Sequence, residues 1–439
     1  MLNKINRICR VGLILALPLL VSCSSEQKQV ILPVKNINQK VTLECVIPFD
    51  DVKKQEAFKN FEADIKRLSD YNIYLSFVTG DTNTYNTKIK VMMSSDTPPD
   101  VFYSGDGSFT KELYSTKRIQ LLENALTDMG YWNMVIPTTK VIRDNEHIYA
   151  VPIDEAHYNI MLINTELFSV NNIKIPDSFE ELKVAAQQFR ERGIVPIAIG
   201  GKNGVSVYNM IEGFACTIDN EITSKLLKSN YGFSGETFRQ AATSVKQLIE
   251  LGAFQENVET ISDEEAENLF YSSKAAIYCT TSNKLNMANN QLKGKVRVLY
   301  YPQPCETNGS NPKRVVSGGT KKDIGLLVSS STNHPAESIK LAVEMSKYYN
   351  KYLYESLGEG AIIYNLDYMG WTRSIDPNLE ASELMLNVKQ KGNVNTGLFG
   401  YNISPAKEKS IAEASTAFMT GLLSVNDFLE EMNISIKMK

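Results

Sequence analysis

The side chains that could carry out bond-breaking chemistry are few and poorly spaced for it. Ser108-Phe109-Thr110-Lys111 has the Ser-x-x-Lys spacing that lets a lysine activate a serine. No Ser-Asp-Asn or Lys-Thr-Gly follows, so the stretch reads as a helix start. Gly204-Val205-Ser206-Val207-Tyr208 has the outline of a nucleophile elbow but lacks the closing glycine that the tight strand-to-helix turn requires. Three histidines, His147, His157 and His334, are too scattered for a metal centre, and Cys-x-x-Cys, His-Glu-x-x-His and Walker A patterns do not occur. No cofactor and no metal are expected. Acid pairs such as Asp50-Asp51, Glu264-Glu265 and Glu430-Glu431 read as solvated helix faces, although a glycosidase would need two carboxyls set across a sugar.

The remaining polar groups are suited to holding a ligand. In an open α/β sheet, ligands bind beyond the carboxyl ends of the strands. Asp50 follows an apolar run, Val41–Ile47, and Asp81 follows Ile73–Val78. Asp106, in Ser104-Gly105-Asp106-Gly107, follows Asp100–Tyr103, and Asn283 follows Ala275–Cys279. Asp81 and Asp106 could equally serve as turn residues. Carboxylates, amides and tyrosines satisfy hydroxyls that both donate and accept, and aromatic rings cover the C–H face of a sugar. The chain has 21 tyrosines and two tryptophans. Trp371, between Gly370 and Thr372, is the first candidate for stacking, whereas Trp132 reads as structural.

These residues sit on an alternation of strands and helices. After Val41–Ile47 comes an amphipathic helix, Lys53–Ser69, carrying Ala57, Phe58, Phe61, Ile65 and Leu68 on one face. A strand Ile73–Val78, a helix Tyr85–Met93 and a short strand Asp100–Tyr103 follow Pro-Pro and turn signals. Asn159–Ile163 reads as a buried strand. Pro176-Asp177-Ser178 then starts a helix with Asp177 or Ser178 as N-cap and Glu180 and Glu181 in its first turn. Phe179, Leu182, Ala185, Ala186 and Phe189 give that helix its apolar face, Gly193 ends it, and Ile194–Ile199 resumes as a strand. The pattern predicts an α/β fold with a mostly parallel open sheet.

The N-terminus reads as an address. Lys4, Arg7 and Arg10 precede an apolar run, Val11–Val21, too short to span a bilayer. Leu20-Val21-Ser22-Cys23 fits a bacterial lipobox, in which the Cys23 thiol takes a diacylglycerol and holds the protein at the outer face of a membrane. Residues 1–22 are then a signal peptide and 23–40 a flexible tether. Loss of the three cations takes the formal net charge from −4 to −7, which argues against a nucleic-acid partner. Of six cysteines, Cys45, Cys216, Cys279 and Cys305 remain in the mature chain and read as buried thiols.

Several motifs in order resemble the extracellular solute-binding proteins of ABC sugar transporters (family 1, the maltose-binding-like group). They include Tyr149 with Pro152, Leu162-Ile163-Asn164, the helix start Pro176–Leu182, and Gly193-Ile194-Val195-Pro196-Ile197. Tyr85-Asn86-Thr87-Lys88, Pro99-Asp100-Val101-Phe102 and Phe270–Ile277 continue the match, as do Asp323–Val328 followed by Pro335–Lys340, and Gly421–Leu429. Phe179 stands where the family usually has Trp, and Ser273 where it has Gly. The resemblance implies a two-lobed, type II periplasmic-binding-protein-like fold. Its lobes are discontinuous: 41–152 and 321–370 form the first, and 153–320 and 371–439 the second. Crossovers are expected near Val151–Asp154, Gly319–Gly325 and Tyr364–Ser374. Glu155 and Tyr158 at the first crossover, and Tyr401 as the late aromatic, join the ligand-binding candidates on the same ground. A monomer is implied, capturing a mono- or oligosaccharide and passing it to membrane permease subunits. A surface enzyme acting on polysaccharide, or a sensor serving a membrane kinase, are the alternatives.

Overall fold

The computed structural model describes residues 40–438, apart from 50–51, 69–70, 96–97, 140–146, 155, 228–230, 305–313, 359–361, 373–378, 390–392 and 402. Cys23, Asp50, Glu155 and Cys305, with the signal and tether segments before residue 40, lie outside the described residues. Two sheets organise the chain from Val41 onward. The first contains β1 (Val41–Pro48), β2 (Tyr71–Val78), β3 (Val101–Ser104) and β4 (Ala150–Val151). The second holds β5 (His157–Asn164), β6 (Val195–Ala198), β7 (Ala275–Thr281), β8 (Val296–Leu299) and β9 (Val316–Gly319). The chain then returns to the first sheet as β10 (Gly325–Val328) and ends in the second with β11 (Val394–Thr396).

The first sheet runs β2-β1-β3-β10-β4. β1 pairs parallel with β2 and β3, while the returning β10 lies antiparallel between β3 and β4. The second runs β11-β9-β5-β7-β6, with β8 beside the C-terminal half of β5. β5 is buried at every residue but His157 because it has neighbours along both edges and helices over it, and its centre, Ile160–Ile163, is apolar as a strand buried on both faces requires.

Helices cover the sheets through the faces their periodicity dictates. The helix Val52–Leu68 buries Ala57, Phe58 and Phe61, and Phe58 meets Tyr349 of the helix Pro335–Leu357 with ring centroids 5.7 Å apart. In the helix Phe179–Glu191 the buried residues are Phe179, Leu182, Ala185, Ala186 and Phe189. Ser178 is its N-cap, accepting from Glu181 N at 3.2 Å, while Glu181 reaches back to Asp177 N. The helices Val205–Ile218, Glu236–Glu250, Pro405–Met419 and Val425–Lys437 complete the core over the second sheet. Cys45, Cys216 and Cys279 are buried free thiols, and burial pushes Cys279 up to about 12.

Candidate functional site

A cavity of about 370 Å³ opens where the two sheets approach each other. Its wall takes Tyr103 and Gly105 from the end of β3, Asp154 from the β4–β5 connection, and His157 and Asn159 from the start of β5. Thr281 at the end of β7, and Gly318 to Lys321 leaving β9, continue it. Gly397, Phe399 and Gly400 after β11 close the ring, with Asn209 and Glu212 of Val205–Ile218 and Glu408 of Pro405–Met419. The strand ends converge here for the reason that open α/β sheets bind ligands at their edges.

Asp154 is the most strongly prepared group. Lys54 Nζ lies 2.9 Å from its Oδ1, and the Tyr103 hydroxyl donates to its Oδ2 at 2.6 Å. Lys54 also sits 4.6 Å from the Tyr103 ring centroid, a cation–π contact. The lysine side chain is 8 % exposed and the aspartate 33 %, so the carboxylate is fixed from behind and open in front. Such a carboxylate keeps lone pairs for a ligand's hydroxyls at little reorganisation cost. His157 is exposed on its own surface, since it faces the cavity, yet protein atoms crowd around it. That crowding holds its imidazole below the usual 6.5; Asp154 pulls the other way and Lys321 adds to the depression.

Strand alternation decides which β5 residues reach the cavity. His157 and Asn159 line it, and Tyr158, between them, points to the other face and is 0 % exposed in the core. Asp81 caps the helix Thr82–Met92 through Thr84 N at 2.8 Å. Asp106 caps Gly107–Ser115 through Ser108 N, also at 2.8 Å. Asn283 is exposed and accepts from Thr281 Oγ1 at 2.6 Å. Trp371 is half-buried against Tyr364, with ring centroids 5.4 Å apart. None of these five lines the cavity, although Asp106 and Asn283 each stand within two residues of a lining residue. Tyr401 ends a short 3-10 turn after β11, and its side chain, like Asp50 and Glu155, lies outside the described residues.

Lys54, Tyr103, Asp154, His157, Asn159 and Glu212 were not selected from sequence. Two of them carry a legible signal: Asn159 is an amide beside the apolar run Ile160–Ile163, and Glu212 is the single acid in VSVYNMIEGFACTI. Lys54 carries none, since a lysine in a first helical turn is ordinary.

With this geometry in view, comparisons with known proteins agree on the fold. A structure from work on xylan utilization by the thermophilic bacterium Caldanaerobius polysaccharolyticus superposes with a TM-score of 0.70 at 20 % identity, covering 90 % of this chain and 99 % of the other. A probable secreted solute-binding lipoprotein of Streptomyces coelicolor gives 0.72 at 15 % identity over 91 % and 99 %. RafE, in complex with raffinose, gives 0.61 at 17 % identity over 90 % and 99 %, and RafE is from Streptococcus pneumoniae. The fold is thus the two-lobed α/β arrangement of solute-binding proteins. An uncharacterized ABC transporter extracellular-binding protein of Pyrococcus horikoshii is 25 % identical over 118 residues, a match spanning 26 % of this chain and 26 % of that relative's length. The sequence profile of the bacterial extracellular solute-binding proteins matches residues 53–349, more than half of the chain. This protein therefore belongs to the bacterial extracellular solute-binding proteins.

Proposed function

We propose that this chain is a lipid-anchored receptor that captures a carbohydrate between its two lobes and delivers it unchanged to an ABC importer. The observation that carries the reading is Asp154, held by Lys54 and Tyr103 and facing a cavity walled by both sheets. Around it stand further acceptors and donors: Asn159, Asn209, Thr281 and glycine backbone. Tyr103 and Phe399 supply aromatic surface for the C–H face of a ring. A ligand touching both lobes favours the closed form by its differential affinity for that form, and closure is a hinge motion. The crossovers Val151–Asp154 and Gly319–Gly325, with a third near Tyr364–Ser374, serve as the hinge. Micromolar capture corresponds to about −8 kcal/mol. Asp106 and Asn283 belong to the proposed site as rim residues, a role supported only by their nearness in sequence to Gly105 and Thr281.

Support for the anchor comes from Lys4, Arg7 and Arg10, the apolar run and Leu20-Val21-Ser22-Cys23. No helix among the described residues is long and apolar enough to cross a membrane. Calorimetric titration of the mature chain with galactose, raffinose, xylo-oligosaccharides and chito-oligosaccharides tests the reading, with recovery of the intact sugar afterwards. Binding of an amino acid or peptide with no response to any sugar would overturn it. So would recovery of a cleaved sugar.

A further inference from the structure

The helix Val205–Ile218 carries one acid, Glu212, and it is 1 % exposed. Donors converge on its carboxyl from three other places in the fold. Tyr208, one turn earlier, donates its hydroxyl to Oε1 at 3.2 Å. Thr223, in the next helix Ile222–Leu227, donates to the same oxygen at 3.0 Å. The backbone N–H of Leu398 donates to it at 2.8 Å. Ser317, on β9, stands beside the same carboxyl. The Thr223 hydroxyl is itself aimed, and Ser317 is held by an amide of β5. Asn395 Nδ2 donates to Thr223 Oγ1 at 2.8 Å, and Asn159 Nδ2 donates to Ser317 Oγ at 2.8 Å. An amide proton occupying the Thr223 oxygen leaves that hydroxyl's own hydrogen to point toward Glu212.

The network ends in the ligand cavity. Asn159 lines it directly, and the Leu398 N–H sits between two lining residues, Gly397 and Phe399. Gly397 N donates to Gly318 O at 3.3 Å, and both glycines line the cavity too. A cavity wall made of glycine backbone has few side chains to hold it in place. Here its position is set by one buried carboxyl, itself part of the wall, that joins a helix to Thr223 and to the segment after β11.

We propose that Glu212 is the positioning residue of this wall: it fixes Gly397–Gly400 through Leu398 N–H, and Asn395 of β11 through Thr223, in the arrangement that receives ligand. Its link to affinity rests on the carbohydrate reading above, whereas its effect on the wall requires no ligand.

Hydrogen–deuterium exchange of the mature, ligand-free chain reads the wall directly. Removal of a buried acceptor in Glu212→Ala is expected to speed exchange of the Leu398 amide by about tenfold or more. Glu212→Gln retains an acceptor for that N–H and is expected to bring exchange back within about threefold of the wild type. Affinity for the best-bound sugar of the panel above should follow the same order, with a loss of about tenfold in Glu212→Ala and recovery in Glu212→Gln. If Glu212→Ala does not fold, Thr223→Val and Asn395→Ala approach the network from its two ends and should each speed exchange in the same segment. Unchanged Leu398 exchange in folded Glu212→Ala, or in both end variants, would overturn the proposal. Equal exchange in the Ala and Gln variants would do the same. Failure of every sugar to bind the wild type refutes the carbohydrate reading alone, and the exchange result still decides the role of Glu212.

Discussion

Lys54 and Asp154 depend on each other in a way that ties binding to stability. Removal of the carboxylate in Asp154→Ala takes a charged partner away from a nearly buried ammonium, and breaking a fully buried pair costs about 3–5 kcal/mol. Because Asp154 is 33 % exposed, solvent screening reduces the figure, and a loss of roughly 2 kcal/mol in urea unfolding is expected. The same variant should bind its sugar at least about tenfold more weakly by calorimetry, since a charge-assisted hydrogen bond is lost. Glu212 makes a separate, pH-dependent prediction. Burial raises its carboxyl from 4.5 to about 7 against the pull of Leu398 N–H, Thr223, Tyr208 and Ser317. The folded state then holds the proton more tightly than the unfolded chain. The corresponding stability is complete below pH 4.5 and lost as pH rises through 7, about 3 kcal/mol across the window. His157, with its lowered value, contributes with the opposite slope, so the difference between wild type and Glu212→Gln isolates the acid. Urea unfolding at pH 5 and pH 8 should show wild type losing stability relative to Glu212→Gln; parallel behaviour would refute the raised value. Residues of this kind were hard to see in the sequence. Asn159 and Glu212 lie in apolar runs whose periodicity announces core, and only the fold shows that one strand face and one helix face meet a cavity. The acids chosen from their place after strands, Asp81 and Asp106, are engaged at helix N-termini, the other common use of an acid in that place.

At the scale of elements, sequence and structure agree most closely where capping and apolar spacing coincide. The Pro176-Asp177-Ser178 signal starts a helix at Phe179 with Ser178 as its cap, and the apolar face is the one read from spacing. Ser178→Ala should therefore lower stability by about 1 kcal/mol in thermal or chemical unfolding. Boundaries elsewhere moved outward: β5 runs His157–Asn164 rather than Asn159–Ile163, because pairing with β9 extends it at the start and β8 at the end. That extension brings His157 into the cavity. The connections between the sheets are held by glycines whose conformation other residues avoid. Gly318 has φ +121°, and a Cβ there would stand 2.1 Å from His157 O; Gly325 has φ +142°, with Val151 O at 2.2 Å. Gly318→Ala must push β9 from β5 at the cavity edge. A loss of about 2 kcal/mol or more, with weakened sugar binding, is expected. A variant of unchanged stability would mean that the strands separate there without cost.

For the molecule as a whole, the alternation of strands and helices announced an α/β protein, and the order of motifs announced the two-lobed family. The long-range pairing was not legible. β10 enters the first sheet antiparallel between β3 and β4, with residues 152–324 intervening since β4, and four residues carry no information about their partners. This return places Gly318 to Ile324 across the cavity between the sheets, so a feature invisible in local sequence builds the site. At this scale the lipobox reading also makes a prediction: Cys23→Ala should release the protein from membranes, and mass spectrometry of the wild type should find a diacylglyceryl group on Cys23; a soluble, unmodified wild type would refute it. The most direct test of the central claim is a crystal structure of the mature chain grown with the sugar it binds most tightly. The account predicts an intact sugar between the two sheets, with Asp154 bonded to its hydroxyls and Asn159 beside it. Sugar bound outside this cavity, or present there only as cleaved fragments, would contradict it.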